Sequence, residues 1–202
     1  MKQKILLTKG CTRQCEFCMG HNDGKLEFYP MPDTIEKEIE IIDSAICWNP
    51  NIKQHLSHLL SEKVNVNLVQ GVDYRVVDDE VLQYCYDLNV KPIRWAWDWG
   101  LHLVHYQYKF MKRLDKIGYK RKDMQIFMIC NWKIPMAECI KKLEVLKYWN
   151  IQVSDCWFPN GKKNCKPVHW DLAEIKKFGR MCRKHNQRCR HNGIDPEKRR
   201  LK

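Results

Sequence analysis

Eleven residues near the start of the chain read Gly10-Cys11-Thr12-Arg13-Gln14-Cys15-Glu16-Phe17-Cys18-Met19-Gly20. The three cysteines are spaced Cys-x3-Cys-x2-Cys and follow a short apolar run, Ile5-Leu6-Leu7. Thiolates this close on one loop can converge on a single metal centre, and cysteine-rich runs of this kind hold iron–sulfur clusters. A cluster with three protein ligands leaves one iron open, as catalytic metal sites do. The stretch therefore predicts a metal centre at Cys11, Cys15 and Cys18.

Two other interpretations of these cysteines remain. A structural zinc site needs a fourth ligand, which His21 could supply, but such sites usually combine two separated ligand pairs and no partner pair follows. Alternatively, three of the chain's eleven cysteines are ordinary thiols that happen to cluster. The loop follows a predicted strand and lies between Gly10 and Gly20, and this placement favours the iron–sulfur interpretation.

Composition indicates a globular protein of one domain. The chain has 202 residues, of which 44% are hydrophobic and 30% charged, enough for a proper core. An odd number of cysteines without a secretory signal predicts reduced thiols in the cytoplasm rather than a disulfide framework. No apolar run is long enough for a signal peptide or a membrane span. The net charge of +12 suggests affinity for polyanions.

Apolar, β-branched runs alternate with helical patterns along the whole chain, which predicts βα units on a parallel sheet. The predicted strands cover about residues 4–8, 38–42, 64–69, 93–97, 125–130 and 151–157. The predicted helices begin near Pro32, Pro50, Asp78, His102, Pro135 and Trp170. Six such units are too few for a closed eight-stranded barrel.

Polar side chains follow most of these strands. In α/β barrels the functional groups come from the C-terminal ends of the strands. Besides the cysteines, these ends carry Asp43, Ser44, Gln70, Asp73, Arg75, Asp98 and Asn131. Each residue singly could be a turn or cap residue, because Asp, Asn and Ser commonly cap the helix after a strand. The set as a whole favours a functional site.

The cysteine stretch resembles the signature of the radical SAM superfamily, in which the same spacing carries an aromatic residue just before the third cysteine, here Phe17. The resemblance implies a 4Fe–4S cluster held by Cys11, Cys15 and Cys18, with S-adenosylmethionine on the fourth iron. It also implies an α/β fold that forms an open partial (βα)6 barrel of parallel strands over about residues 1–186. A basic tail, residues 187–202, would follow this domain.

The resemblance also implies roles for the strand-end residues, with two departures from the usual pattern. Radical SAM proteins usually carry Gly-Gly-Glu after the second strand, where it binds the methionine amino group, and Asp43-Ser44-Ala45 stands in that place. The glycine-rich adenine motif of the fifth strand is missing from residues 125–132. The runs Gln70–Arg75 and Arg94–Asp98 are similar to a small group of stand-alone radical SAM proteins. The expected cofactor-binding residues are Phe17, Asp43, Ser44, Gln70, Asp73, Arg75, Asp98 and Asn131.

The function that the resemblance implies is that of a radical SAM enzyme. Its reduced cluster would cleave S-adenosylmethionine to methionine and a 5′-deoxyadenosyl radical, which takes hydrogen from a substrate that the sequence does not identify. The expected partners are a one-electron donor of flavodoxin or ferredoxin type and a substrate that could be polyanionic, with no membrane involved. The alternatives are a nucleic-acid-binding module with a structural metal and an iron–sulfur electron carrier. Missing paired zinc ligands disfavour the former, and missing four-cysteine ligation disfavours the latter.

Weaker patterns lie elsewhere in the chain. The histidine pairs His55–His58 and His102–His105 have i,i+3 spacing but lack a nearby carboxylate or cysteine partner for metal. Trp95, Trp97 and Trp99 alternate along a predicted strand, which favours burial in the core over stacking on a base. A second cluster would use the irregularly spaced Cys156, Cys165, Cys182 and Cys189.

Basic residues are concentrated near the C-terminus. From Lys176 to Lys202, eleven Lys and Arg residues are opposed only by Asp195 and Glu197. Charge runs are commonly solvated helix faces and tails, which is the simpler interpretation. The alternative is that this end, with Lys162, Lys163 and Lys166, holds a polyanionic substrate.

Overall fold

The computed structural model describes residues 2–18, 24–157 and 170–192, and strands and helices alternate through these ranges. The strands are β1 (Gln3–Ile5), β2 (Thr8–Gly10), β3 (Leu26–Phe28), β4 (Glu38–Ile41), β5 (Asn65–Leu68), β6 (Ile93–Ala96), β7 (Met124–Cys130) and β8 (Gln152–Trp157). The helices are α1 (Ile52–Ser61), α2 (Asp79–Asp87), α3 (Val104–Ile117), α4 (Met136–Trp149) and α5 (Leu172–Asn192). None of the helices in these ranges is both long and apolar enough to cross a membrane.

The chain divides into two compact units. The first comprises Met1–Trp95 and Lys112–Tyr119, and the second comprises Ala96–Met111 and Lys120–Lys202. The chain therefore passes from the first unit to the second at the end of β6 and returns for the second half of α3. Each unit has its own buried apolar side chains.

A parallel sheet with the order β1-β4-β5 forms the centre of the first unit. Ile39 and Ile41 of β4 are almost fully buried, whereas the alternate residues Glu38 and Glu40 are not. This alternation is the two-residue period of a strand with one face in the core. Helices α1 and α2 bury apolar stripes in the same unit. The predicted cap of α2 is confirmed, since Asp78 Oδ1 accepts a hydrogen bond from Val81 N–H at 2.8 Å.

A short antiparallel pair, β2 with β3, was not predicted from the sequence. It begins three residues after β1, so the predicted first strand is two strands, and the cysteine loop leaves β2 rather than β1. Gly10 has a φ of +87°, and a Cβ atom there would lie 2.1 Å from Lys25 O. Only glycine allows the two strands to approach this closely.

The predicted helix near Pro32 is wrong. Residues 29–37 contain no helix and lead as an irregular connection into β4. Pro30 and Pro32 disfavour helical backbone at the residues before them. The side chain of Gln3 hydrogen-bonds to main-chain groups of this segment instead. It donates to Thr34 O and accepts from Glu36 N–H, each at 2.9 Å.

In the second unit β7 and β8 pair in parallel, from Gln125 opposite Gln152 to Cys130 opposite Trp157. The main-chain N–H of Trp97, just after β6, donates to Phe127 O at 2.8 Å. Helix α4 buries Cys139, Lys142, Leu143, Leu146 and Trp149. The sequence pattern predicts Leu172 and Cys182 on the inner side of the last helix; in α5 Leu172 is 66% exposed, whereas Phe178 and Cys182 are fully buried. Leu172 is exposed because the helix starts there, six residues before its first fully buried side chain.

The fold is therefore α/β, with parallel strand pairs and alternating helices, as the sequence predicts. Strands matching all six predicted ones are present, and the described strands do not close into a barrel. Helix α5 continues to Asn192 through the predicted domain end at residue 186. The predicted division into residues 1–186 and 187–202 stays a prediction.

Candidate functional site

The three cysteines of the motif lie on the loop that leaves β2. All three thiols are free and half-buried. Cys18 N–H donates to Cys15 O at 2.9 Å, which forms a tight turn between the second and third cysteines. Arg13 N–H points to Cys11 Sγ at 3.4 Å. Hydrogen bonds to cluster sulfurs are one means by which proteins set the potential of an iron–sulfur centre.

The donor chemistry of this loop fits an iron–sulfur cluster. Burial raises the pKa of Cys156 and Cys189 to about 11 and that of Cys47 to about 12, which disfavours the thiolate form at these three positions. In this structure the side chains of Cys11, Cys15 and Cys18 are not arranged as in a metal site. Among the described residues, no three His, Cys, Asp or Glu side chains are grouped to hold a metal ion. Cluster binding therefore requires the three thiols to turn toward a common point.

An ion pair ties the cysteine loop to the segment after β5. Arg13 Nε lies 2.6 Å from Asp73 Oδ2, and Arg75 Nε lies 2.7 Å from Asp73 Oδ1. Burial acts to raise the pKa of Asp73, but the Arg75 guanidinium, with Arg13, outweighs it and holds the pKa below its usual value. Asp73 is therefore ionised and bridges two arginines. Arg13 was not predicted as a site residue from the sequence, although its position between Cys11 and Cys15 could have indicated such a role.

Asp43, at the end of β4, is almost fully buried. Its Oδ1 accepts a hydrogen bond from Leu7 N–H at 2.9 Å, which fixes the link between β1 and β2. Its Oδ2 is buried without a hydrogen-bond partner among the described residues. Burial raises the pKa of Asp43 to about 6, opposed by Leu7 N–H and, to a smaller extent, by the hydroxyl and N–H of the nearby Thr8. The neighbouring Ser44, like Gln70 after β5, is exposed, and Phe17 in the cysteine loop is half-buried.

Asn131 follows β7 in the second unit and is also buried. Its φ of +66° places it in the left-handed region, which asparagine tolerates better than most residues. Its Oδ1 has no hydrogen-bond partner in the part of the chain that the structure describes. Buried acceptors without donors are rare in proteins and call for an explanation such as a bound ligand. Asp43 and Asn131, two of the predicted site residues, both have this property.

Asp98, the residue predicted after β6, lies half-buried near a lysine that sequence reasoning missed. Lys142 of α4 is fully buried and donates from Nζ to Trp97 O at 3.1 Å. Burial lowers the pKa of Lys142, opposed by the charges of Cys139, Asp98 and Glu138. The signal in the sequence was a charged residue inside the apolar stripe of α4.

The weaker candidates have different outcomes. Cys156, Cys182 and Cys189 join no metal-holding group among the described residues, and Cys165 lies outside those residues, as do Lys162, Lys163 and Lys166.

Trp95 and Trp97 are buried as predicted, and Trp99 is 39% exposed. His55 is buried, and its Nε2 has no hydrogen-bond partner in the described ranges. His105 Nδ1 lies 3.2 Å from His102 O, an intrahelical contact rather than a metal geometry.

Comparison with known proteins shows a likeness of fold. SuiB from Streptococcus suis, in a crystal structure bound to S-adenosylmethionine, superposes with a TM-score of 0.66 at 12% sequence identity. The alignment covers 93% of this chain and 48% of SuiB, so the chain spans about half of SuiB's length. No family model matches the sequence, and no curated protein matches it either. The chain therefore resembles, in fold, a protein whose structure contains S-adenosylmethionine.

Proposed function

We propose that this chain is a radical SAM enzyme whose cluster-binding residues are Cys11, Cys15 and Cys18. When bound and reduced, a 4Fe–4S cluster at this loop supplies the electron that cleaves S-adenosylmethionine and yields a 5′-deoxyadenosyl radical for hydrogen abstraction. The chain's own task is to hold the cluster, orient the cofactor and keep water away from the radical.

The observation that carries the proposal is the cysteine loop itself. Its three free thiols are spaced as in the superfamily's signature, and the Arg13–Asp73 ion pair anchors the loop. The likeness in fold to the S-adenosylmethionine-bound SuiB supports the same proposal.

Asp43 is the best-supported cofactor residue in the first unit. It occupies the place after the second predicted strand where the superfamily binds the methionine amino group. An ammonium group would donate to its unsatisfied Oδ2 and favour the ionised carboxylate. For Phe17, Ser44, Gln70, Arg75, Asp98 and Asn131 a cofactor or substrate contact stays a prediction. The cofactor contact predicted for Asp73 also stays a prediction, and its ion pairs with Arg13 and Arg75 give it a positioning role in addition.

The proposed partners follow from the proposed chemistry. Reduction of the cluster needs a one-electron donor, for which a flavodoxin or ferredoxin is the expected class. The cysteine loop lies at the surface, with each cysteine half-buried, which is compatible with electron transfer from such a donor. The identity of the hydrogen-donating substrate is open.

The first test of this proposal is cluster binding. Anaerobically reconstituted protein should hold about four irons per chain and show broad brown absorbance. Replacing Cys11, Cys15 and Cys18 together with alanine should abolish both signals. As a matched control, the Cys47→Ala/Cys156→Ala variant removes half-buried thiols outside the loop and should keep the full iron content. One stoichiometric zinc and no iron after anaerobic purification would contradict the proposal.

The second test is cofactor cleavage. Dithionite-reduced protein should slowly form 5′-deoxyadenosine from S-adenosylmethionine even without substrate. Asp43→Ala and Asp98→Ala should each weaken S-adenosylmethionine binding by about 1–3 kcal/mol while keeping the iron, since each loses a polar contact in a buried site. Normal cofactor binding by both iron-loaded variants would remove these residues from the site. An iron-loaded protein that never cleaves the cofactor would favour an electron carrier.

A further inference from the structure

A pocket of about 350 Å³ lies between the end of β8 and helix α5 in the second unit. The residues that matter among its lining are Asp155, Trp157, Lys176, Gly179, Arg180 and Arg183. None of the residues assigned above to the cluster or to S-adenosylmethionine lines it. The proposed function therefore gives this pocket no role.

The lining of this pocket is predominantly basic. Lys176, Arg180 and Arg183 are spaced four and three residues apart on α5, so their side chains lie on one face of the helix. All three are exposed, and within the described part of the chain none of them forms an ion pair. The one carboxylate in the lining, Asp155, already accepts a hydrogen bond from Trp157 Nε1 at 2.9 Å. An anionic ligand would therefore meet three cations against one carboxylate in this lining.

An aromatic side chain stands beside these cations in a fixed orientation. The Nε1 of Trp157 is held by Asp155, and the ring packs edge-on against Trp170 and Phe178, with centroids 5.7 and 6.3 Å away. A half-buried indole held in this way offers apolar, polarisable surface at little entropic cost on binding. The pocket therefore combines a site for an anion with a site for a flat ring.

The space for a ligand depends on Gly179. A Cβ atom there would lie 3.4 Å from Asp155 Oδ2, 3.5 Å from Arg183 Nη1 and 3.8 Å from Trp157 Cζ2. Any side chain longer than alanine would therefore extend into the pocket. Glycine inside a helix is otherwise unfavourable, and a need for open space at this point accounts for it.

The proposed cofactor residue Asp98 does not line this pocket. Asp155 and Trp157 line it on the side of α5, whereas Cys156 between them points to the other face of β8, because successive strand side chains alternate. Binding in this pocket would therefore not compete with S-adenosylmethionine contacts at Asp98.

We propose that this pocket binds a nucleotide, with its phosphate held by Lys176, Arg180 and Arg183 and its base against Trp157. Guanidinium groups bind phosphate through paired, charge-assisted hydrogen bonds, and aromatic side chains accept bases by stacking or edge contact. The nucleotide is either a free molecule or the terminal unit of a nucleic acid. Both present the same phosphate and base to the pocket.

The test uses uridine monophosphate, which lacks adenine and so avoids the proposed S-adenosylmethionine site. Calorimetric titration of the full, cluster-loaded chain should show binding that weakens with salt and persists in saturating S-adenosylmethionine. Uridine and inorganic phosphate should each bind at least about tenfold more weakly, because each lacks one of the two contacts. A 5′-phosphorylated oligouridine in a parallel titration distinguishes the sources: clearly tighter binding indicates a nucleic acid, and equal affinity a free nucleotide.

Two variants and one matched control complete the experiment. The Lys176→Gln/Arg180→Gln/Arg183→Gln variant should lose at least about tenfold in affinity for uridine monophosphate. The control, Lys177→Gln/Lys184→Gln/Arg188→Gln, removes the same charge from exposed residues of α5 outside the pocket and should change the affinity less than about threefold. Gly179→Leu fills the pocket without changing charge and should also abolish binding, while circular dichroism reports an intact fold because leucine is the better helix former.

Equal losses in the pocket and control variants, or unchanged binding by Gly179→Leu, would overturn the proposal. Inorganic phosphate that binds as tightly as the nucleotide would overturn it as well. The same titrations with the iron-free full chain should give the same affinities, because no residue assigned to the cluster or to S-adenosylmethionine lines the pocket. Failure here is therefore distinguishable from failure of the proposed function.

Discussion

Several polar residues of this protein are buried, and they include two of the predicted site residues. Asp43, Asn131 and Lys142 are each at most 2% exposed, although burial of such groups is costly without partners. Main-chain groups compensate part of this cost, as Leu7 N–H does for Asp43 and Trp97 O does for Lys142. The remaining unsatisfied atoms, Asp43 Oδ2 and Asn131 Oδ1, are the positions where a ligand would contribute most.

Replacing Asp43 with Asn should change how stability depends on pH. Burial raises the pKa of Asp43 to about 6, so the folded state binds this proton more tightly than the unfolded state does. The wild-type chain should therefore lose stability, relative to the variant, as the pH rises from about 4 through about 6, and the loss should level off above that. The total change should be on the order of 2–3 kcal/mol.

Urea denaturation of the metal-free protein at several pH values checks this expectation. Asn keeps an Oδ1 acceptor for Leu7 N–H, so the comparison isolates the charge. A constant difference between the two proteins across the pH range would show that Asp43 titrates normally.

At the scale of elements, the cysteine loop is held from both sides. The close β2–β3 pair at Gly10 fixes where the loop begins, and the Arg13–Asp73 ion pair anchors it to the segment after β5. Both partners of the ion pair are at least two-thirds buried, so their attraction is screened less than that of a surface pair. The loop is thus positioned by a strand pair and a charge, rather than by regular structure of its own.

Arg13→Gln should therefore weaken cluster retention more than it weakens the fold. Iron should be lost faster from the variant in the presence of a chelator, because the loop loses the ion pair that anchors it. The matched control is Arg113→Gln, which breaks a similar pair with Asp79 at 2.7 Å, away from the loop. The control should lose about 1 kcal/mol or less of unfolding free energy, as exposed pairs do, and Arg13→Gln should lose somewhat more because its pair is mostly buried. Equal rates of iron loss in the two would show that the anchor does not serve the cluster.

At the scale of the whole molecule, positive charge is distributed unevenly. The chain carries a net charge of +12, and its last ten residues include Lys198, Arg199, Arg200 and Lys202. These residues lie outside the described ranges, whereas the basic pocket on α5 lies within them. The tail and the pocket can therefore be tested separately.

A chain ending at Asn192 should keep its affinity for uridine monophosphate and bind a long RNA less tightly. For every phosphate that the tail neutralises, its removal should reduce the slope of log affinity against log salt by about 0.7 for a single strand. Titrations of both chains with RNA at two salt concentrations measure this. Equal RNA affinities and slopes would mean that the tail is only a solvated, solubilising segment.

Local patterns in the sequence were sufficient to predict most elements. The helices and strands from β4 to β8 follow from hydrophobic periodicity, and the cap at Asp78 follows from its position before an apolar stripe. These signals can be recognised because periodicity and capping depend on residues a few positions apart. The cysteine motif is local for the same reason, so the candidate cluster site follows from the order of the residues alone.

By itself, then, the sequence determined the α/β class, the order of the elements from β4 onward and the candidate cluster ligands. The tertiary structure alone decided that Gln3 hydrogen-bonds to the segment after Pro32, that Arg13 pairs with Asp73, and that Lys142 is buried beside Trp97. These partners lie between 31 and 60 residues apart in the chain. No local period encodes such a pairing, because it forms only when strands and helices pack and bring distant segments within hydrogen-bond distance.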